Sequence, residues 1–251
     1  MKKKTTLSAL ALTVSLTAVH AASTIINPFS VSVDVAASAG SSANYLLSGA
    51  QSGGGSSLTT DGGAGSSTTL ATGTLTSVAL NTVESLDNVA NSYVSPPVGT
   101  GTYNYFTGEG SGASETPGTP PTFTFVLDGS FDNIDSIIIW NYTHNNEGSQ
   151  ASAFDLTFYS DAGATTQVGD TITAGAIGER ASSATVEAPD QITFASTYSG
   201  VQSFTLTLTD NYIGNRVGLG EVRLTTIPEP SSAALLLGLV GASFAFVRRR
   251  A

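Results

Sequence analysis

From Ser23 to Thr226 the apolar residues of this chain alternate with polar ones, and no helical period of three to four runs through any stretch. Phe29, Val31, Val33 and Val35 alternate with Ser30, Ser32 and Asp34, and Phe123, Phe125 and Leu127 alternate with threonine and valine. The rule continues in Phe154, Leu156 and Phe158, in Ile192 with Phe194, and in Phe204, Leu206 and Leu208. A β-strand sends successive side chains to opposite faces, so this period predicts strands with one face in a core and one in water. One run breaks it. Ile137-Ile138-Ile139-Trp140 is apolar throughout, as expected of a strand buried on both faces or at a sandwich centre. Turn clusters punctuate the runs at Leu127-Asp128-Gly129-Ser130, Asn145-Asn146-Glu147-Gly148, Asp161-Ala162-Gly163 and from Asn211 to Gly214. Short strands separated in this way predict an all-β fold, a jelly-roll β-sandwich over residues 23–226. Two segments fit it less well. Gly49 to Gly73 is dominated by Gly, Ser and Thr, which suits a long surface loop or a weak edge strand. Val94 to Pro121 is rich in proline and reads as an extended excursion.

The chain of 251 residues is long enough for a core that needs no staples, and its lack of Cys removes disulfides, thiolate metal sites and cysteine nucleophiles. Its formal charge of −10 conceals a sharper division. Lys2, Lys3 and Lys4 open the chain and Arg248, Arg249 and Arg250 nearly close it. Between Ser23 and Ile227, three Arg, no Lys and 18 acids give −15. A body so acidic repels phosphate backbones, which argues against a nucleic-acid partner.

The ends read as addresses. In residues 1–22 a basic start precedes the apolar run Leu7 to Val19 and the small-residue site Val19-His20-Ala21, the pattern of a secretory signal peptide. Translocon and signal peptidase are its expected partners, with cleavage after Ala21 or Ala22. In residues 227–251, Pro228-Glu229-Pro230 precedes 17 apolar or small residues, Ser231 to Val247, and then the three arginines. The prolines stop a strand and hold the chain extended. Ser231 or Ser232 can cap a single transmembrane helix of about 25 Å, slightly short for a hydrocarbon core of about 30 Å. The arginines act as a membrane stop on the cytoplasmic face.

Pro228, Glu229, Pro230, the apolar helix and the terminal arginines together resemble the PEP-CTERM sorting signal of exported Gram-negative proteins. The resemblance implies an exosortase as processing partner, transit through the inner membrane, and an association with exopolysaccharide and biofilm at the cell surface or in the extracellular matrix. A plain C-terminal membrane anchor is the alternative. In the body, Ile137-Ile138-Ile139-Trp140-Asn141-Tyr142, then Asn145-Asn146-Glu147-Gly148, then Phe154 to Asp161, and finally Arg216 to Leu224 look like the discoidin or coagulation-factor C-type domain, a galactose-binding-like jelly roll. Leu86 to Tyr93 is similar to that family's early loop, although Asn88 and Val94 stand where the family carries Gly and Trp. The resemblance implies a structural Ca²⁺ held by Asp87, Asn91, Ser92 and Glu221. Glu221 also attracts notice by itself, lying between Leu219 and Val222; either it is satisfied in the interior or strand twist leaves it in water.

Catalytic machinery is sparse. His144 is the one histidine beyond the signal segment, and it sits in a turn cluster with no nucleophile-elbow pattern nearby. Zinc cannot be assembled from one His and no Cys. A carboxylate pair needs only two acids, so a glycan hydrolase stays open as a lesser alternative. Carbohydrate binding, the function the discoidin-like fold suggests, needs aromatic faces beside amides and guanidinium groups. The loop candidates are Tyr103, Tyr105, Asn145, Asn146, Tyr212, Asn215 and Arg216, with Phe106 beside them, while Trp140 between its isoleucines is expected to pack in the core. The sequence therefore predicts a non-enzymatic, exported, polysaccharide-associated module. The rival is a purely structural matrix protein without a discrete ligand site.

Overall fold

The structure, a computed structural model, describes residues 23–36, 43–47, 67–69, 93–95, 105–106, 117–142, 149–179 and 189–227. The expected signal peptide and C-terminal helix lie outside these residues. Within them the chain forms a two-sheet antiparallel sandwich. Sheet A runs in the order β3 (Ser67–Thr69), β1 (Thr24–Ile26), β11 (Gly218–Thr226), β6 (Ile134–Asn141) and β9 (Asp190–Tyr198), and β4 (Tyr93–Val94) pairs with the start of β11. Sheet B runs β2 (Ser30–Val33), β5 (Thr122–Phe131), β10 (Val201–Asn211), β7 (Ala151–Tyr159) and β8 (Gln167–Ala176). A single 3-10 turn, Ala43–Leu46, adds the one helical element among the described residues. From β5 onward the chain changes sheet at every connection except the β7–β8 hairpin.

The predicted alternation produces the inner face of sheet B. Phe123, Phe125, Phe154, Leu156, Phe158, Phe204, Leu206 and Leu208 are all fully buried. Phe125 stacks on Phe204 across β5 and β10 (4.7 Å, 10°), and Tyr93 meets Phe123 edge-on at 4.7 Å. Such pairs contribute about 0.5–1.5 kcal/mol each beyond the area they bury. Sheet A supplies Ile26, Ile137, Ile139, Leu219, Val222 and Leu224 to the same core.

The apolar run of β6 is buried on both sides, as its sequence predicts: Ile137 and Ile139 face sheet B, and Ile138 and Trp140 on the other face are equally shielded. β11 beside it is buried from Gly218 to Thr225.

Two expectations need correction, and one strand was not expected at all. Leu127-Asp128-Gly129-Ser130 is no turn. β5 continues through it to Phe131 with a bulge, where Gly129 takes φ +123°, and the reversal comes at Asp132-Asn133. β8, absent from the sequence reading, carries no clean alternation because positive φ at Gly169 (+68°) and Ala174 (+54°) breaks its period, and its register against β7 shifts twice. Gly175, next to Ala174, is glycine for want of room, since a Cβ there would sit 2.3 Å from Phe154 Cζ. Tyr105 also departs from expectation, lying in the core rather than on a ligand loop. It is 2% exposed, its ring meets Phe106 edge-on and its hydroxyl donates to Thr119 O at 2.8 Å. An aromatic in a proline-rich excursion can pack inward as readily as outward, and sequence does not distinguish the two.

Candidate functional site

At one end of the sandwich β6, β8 and β10 finish and β7, β9 and β11 begin, so their connections converge. Buried Asn141 closes this end with its whole amide. Nδ2 donates to Ala151 O (2.8 Å) and Gly178 O (3.0 Å), while Oδ1 accepts from Tyr142 N (2.9 Å) and Ala151 N (3.1 Å). One side chain thereby ties sheet A to the first residue of β7 and to the segment after β8. Gly178 N in turn donates to Asp190 Oδ2 at 2.8 Å.

The 212–216 loop is shaped by a second asparagine. Asn211 Nδ2 donates to Gly214 O (2.9 Å) and Arg216 O (3.3 Å), and Gly214 takes φ +97°, which a side chain would resist. Tyr212 is 38% exposed yet fixed at both ends. Its N–H donates to Gln150 O (3.1 Å) and its hydroxyl to Ile177 O (2.6 Å). Beside it Ile213 is 48% exposed, and Asn215 and Arg216 are half-buried. Burial pushes the Tyr142 hydroxyl up to about 12, and the nearby Arg216 charge pulls it part of the way back. One short loop thus carries an aromatic ring fixed at its hydroxyl, an exposed apolar side chain, an amide and a guanidinium, the group types that hold ligands with both C–H faces and hydroxyls.

Of the predicted ligand-loop residues, Tyr212, Asn215 and Arg216 share the one connection between β10 and β11. Tyr103, Asn145, Asn146 and His144 lie outside the described residues, as do Asp87, Asn91 and Ser92 of the predicted calcium set. Its fourth member, Glu221, is 1% exposed, so it is not left in water. Its Oε1 accepts from Arg223 Nε and lies 2.5 Å from both Nε and Nη2. Arg223 is itself fully buried, its guanidinium 4.9 Å from the centre of the Trp140 ring. A guanidinium and a Ca²⁺ compete for one carboxylate, because each repels the other. Sequence reasoning passed over Arg223. The available signal was Glu221 and Arg223 two residues apart on a strand, hence on one face. Among the described residues no group of three or more His, Asp or Glu gathers as a metal site.

Residues 226–250 match the family model described as the PEP-CTERM protein-sorting motif. The chain carries a PEP-CTERM sorting motif. The match includes Pro228, Glu229, Pro230 and all three terminal arginines, and it begins at Thr226, the last residue of β11. The motif implies export, processing by an exosortase at the membrane and a cell-surface destination. Among the described residues no helix is long and apolar enough to cross a membrane. No curated protein matches the chain.

Among solved structures the body is similar to the family 32 CBM from C. perfringens NanJ in complex with galactose, with 12% identity, 81% of this chain and 98% of that one covered, and a TM-score of 0.44. It is also similar to a mutant lectin binding domain of Lectinolysin complexed with Lewis b, with 10% identity, 80% and 94% covered, and a TM-score of 0.43. An F5/8 type C domain from Bacteroides fragilis aligns at 13% identity over 43% of this chain and 66% of that one, with a TM-score of 0.32. Likenesses at these TM-scores carry no weight in assigning a ligand.

Proposed function

We propose that this PEP-CTERM protein is a non-catalytic glycan-binding module of jelly-roll type, delivered to the cell surface or extracellular matrix and associated there with polysaccharide. An N-terminal signal peptide takes it to the translocon, and the apolar segment Ser231–Val247 holds it in the inner membrane until the exosortase acts. The observation that carries the binding half is the Tyr212 ring, half-exposed and locked by Ile177 O and Gln150 O beside Ile213, Asn215 and Arg216. A fixed ring loses little conformational freedom when a sugar stacks on it. The structural neighbours solved with galactose and Lewis b agree in ligand class without adding to the case.

A glycan array probed with the exported protein tests this reading. Saturable binding is expected, and Tyr212→Ala should weaken it roughly tenfold, the equivalent of about 1.4 kcal/mol. Absence of saturable binding would leave the structural matrix protein standing. Structural Ca²⁺ at Asp87, Asn91, Ser92 and Glu221 is a separate proposal, and the Arg223 ion pair is its competitor. If Ca²⁺ binds, it raises the melting temperature and Glu221→Ala abolishes the rise; a melt indifferent to EDTA assigns Glu221 to Arg223 alone.

A further inference from the structure

The sandwich has an opposite end, and the tail leaves from it. Thr226 pairs with Thr24 of β1 on one side and Ile134 of β6 on the other, so the exit strand is central in sheet A. The next residue is bolted down as well: Ile227 N donates to Asn133 O at 3.0 Å, and Thr226 Oγ1 donates to Asp132 O. That turn is fixed in its own right, with Gly200 N donating to Asp132 Oδ1 (2.7 Å) and Asn133 N to Ser199 Oγ (3.2 Å). Folded structure therefore runs up to the edge of Pro228. From Ile227 to Ser231 the chain takes four steps, which reach at most about 14 Å even when extended. The 11 residues of β10 place the Tyr212 loop roughly 35 Å away from this end.

Charge follows the same axis. At this end of the sandwich lie Asp132, beside the exit, and Asp128 and Asp161 of sheet B and its turn, and the described residues of this end include no Lys or Arg. Hydrogen bonds from the Thr166 and Thr165 backbone N–H groups hold the Asp161 carboxyl below its ordinary range, so it stays ionised. The one half-exposed cation described, Arg216, sits at the far loop end.

We infer that, before its tail is processed, the sandwich stands upright on the membrane on the end carrying the Asp132-Asn133 turn, presenting the Tyr212 loop away from the bilayer. The inference rests on the proposed membrane insertion of Ser231–Val247. A short tether from a central, hydrogen-bonded strand holds the base at the lipid surface. The acidic body, at −15 between Ser23 and Ile227, gains no attraction to anionic headgroups along its flanks, and its acidic base gains none either, so the short tether alone sets which end meets the bilayer. Candidate ligand contacts thus face outward while the protein is still anchored.

The absence of cysteine makes the test direct. Ala162→Cys at the base and Ile213→Cys at the loop end are each labelled with a fluorophore in the full tail-bearing chain. The chain is then reconstituted in phosphatidylcholine–phosphatidylglycerol vesicles containing nitroxide-headgroup lipid. The expected result is loss of fluorescence at position 162 with none at 213. Equal quenching at both positions means the body lies flat and overturns the inference, as does stronger quenching at 213. A flexible Gly-Ser spacer inserted between Ile227 and Pro228 should abolish quenching at 162; quenching that survives it overturns the short tether as the cause. Flotation separates the two layers of the argument. Chains that do not float with vesicles refute the membrane reading itself, whereas floating chains with the wrong quenching pattern refute only the orientation.

Discussion

The two outer faces of the sandwich solve the same problem in opposite ways. On sheet B much of the outward face is hydroxyls in cross-strand rows: Thr124 opposite Thr205 opposite Thr157, and Thr122 opposite Thr207 with their Oγ1 atoms 3.0 Å apart. These side chains are half-buried, so solvent can reach their hydroxyls. On sheet A the outward residues of β6 and β11 include Ile138, Trp140, Glu221 and Arg223, all 3% exposed or less. There water is shut out: Glu221 finds its partner in Arg223, while Trp140 Nε1 has no hydrogen-bond partner among the described residues. Threonine on a wetted face is a matter of strand propensity and solubility. A glutamate–arginine pair against a tryptophan, shielded from water, is a commitment to one geometry.

The contrast can be broken most directly at Arg223. Arg223→Ala leaves a shielded carboxylate without its cation and should cost about 3–5 kcal/mol in urea unfolding, while Glu221→Leu with Arg223→Met, which removes both charges, should recover most of that loss. A single variant no worse than the double would show that the pair is solvated after all. Gly175→Ala sharpens the comparison from inside sheet B. A methyl group forced against the Phe154 ring should cost about 1–3 kcal/mol, so sheet B is sensitive on its packed side. The smallest effect belongs to its outer face. Thr205→Val retains strand propensity where water already competes for the hydroxyl, and its midpoint should stay within about 0.5 kcal/mol of the parent. A drop comparable to that of Arg223→Ala would mean the outer face of sheet B is covered in solution.

Legibility in the sequence followed the same divide. Period-two runs such as Phe123-Phe125-Leu127 and Phe204-Leu206-Leu208 announce their strands because one face is wet and one dry, and the structure places them in sheet B as read. The unbroken Ile137–Trp140 run announces a strand shielded on both faces. β8 was illegible because two bulges reset its period, and the Leu127–Ser130 cluster misled because a bulge uses the same residues as a turn. At the candidate site, residue type singled out Tyr212, Asn215 and Arg216, whereas Tyr105 showed that type alone does not say which way a loop aromatic points.

Sequence by itself determined the strand character of the body, its acidity and the sorting tail, because each is written in neighbouring residues: a period, a composition, a contiguous motif. Tertiary structure alone decided that Asn141 clasps two sheets, that Glu221 answers to Arg223 while Arg223 covers Trp140, and that Ile227, where β11 ends, and the Tyr212 loop lie at opposite ends. Those outcomes depend on register and on which strands become neighbours, and strand pairing joins residues that lie far apart along the chain.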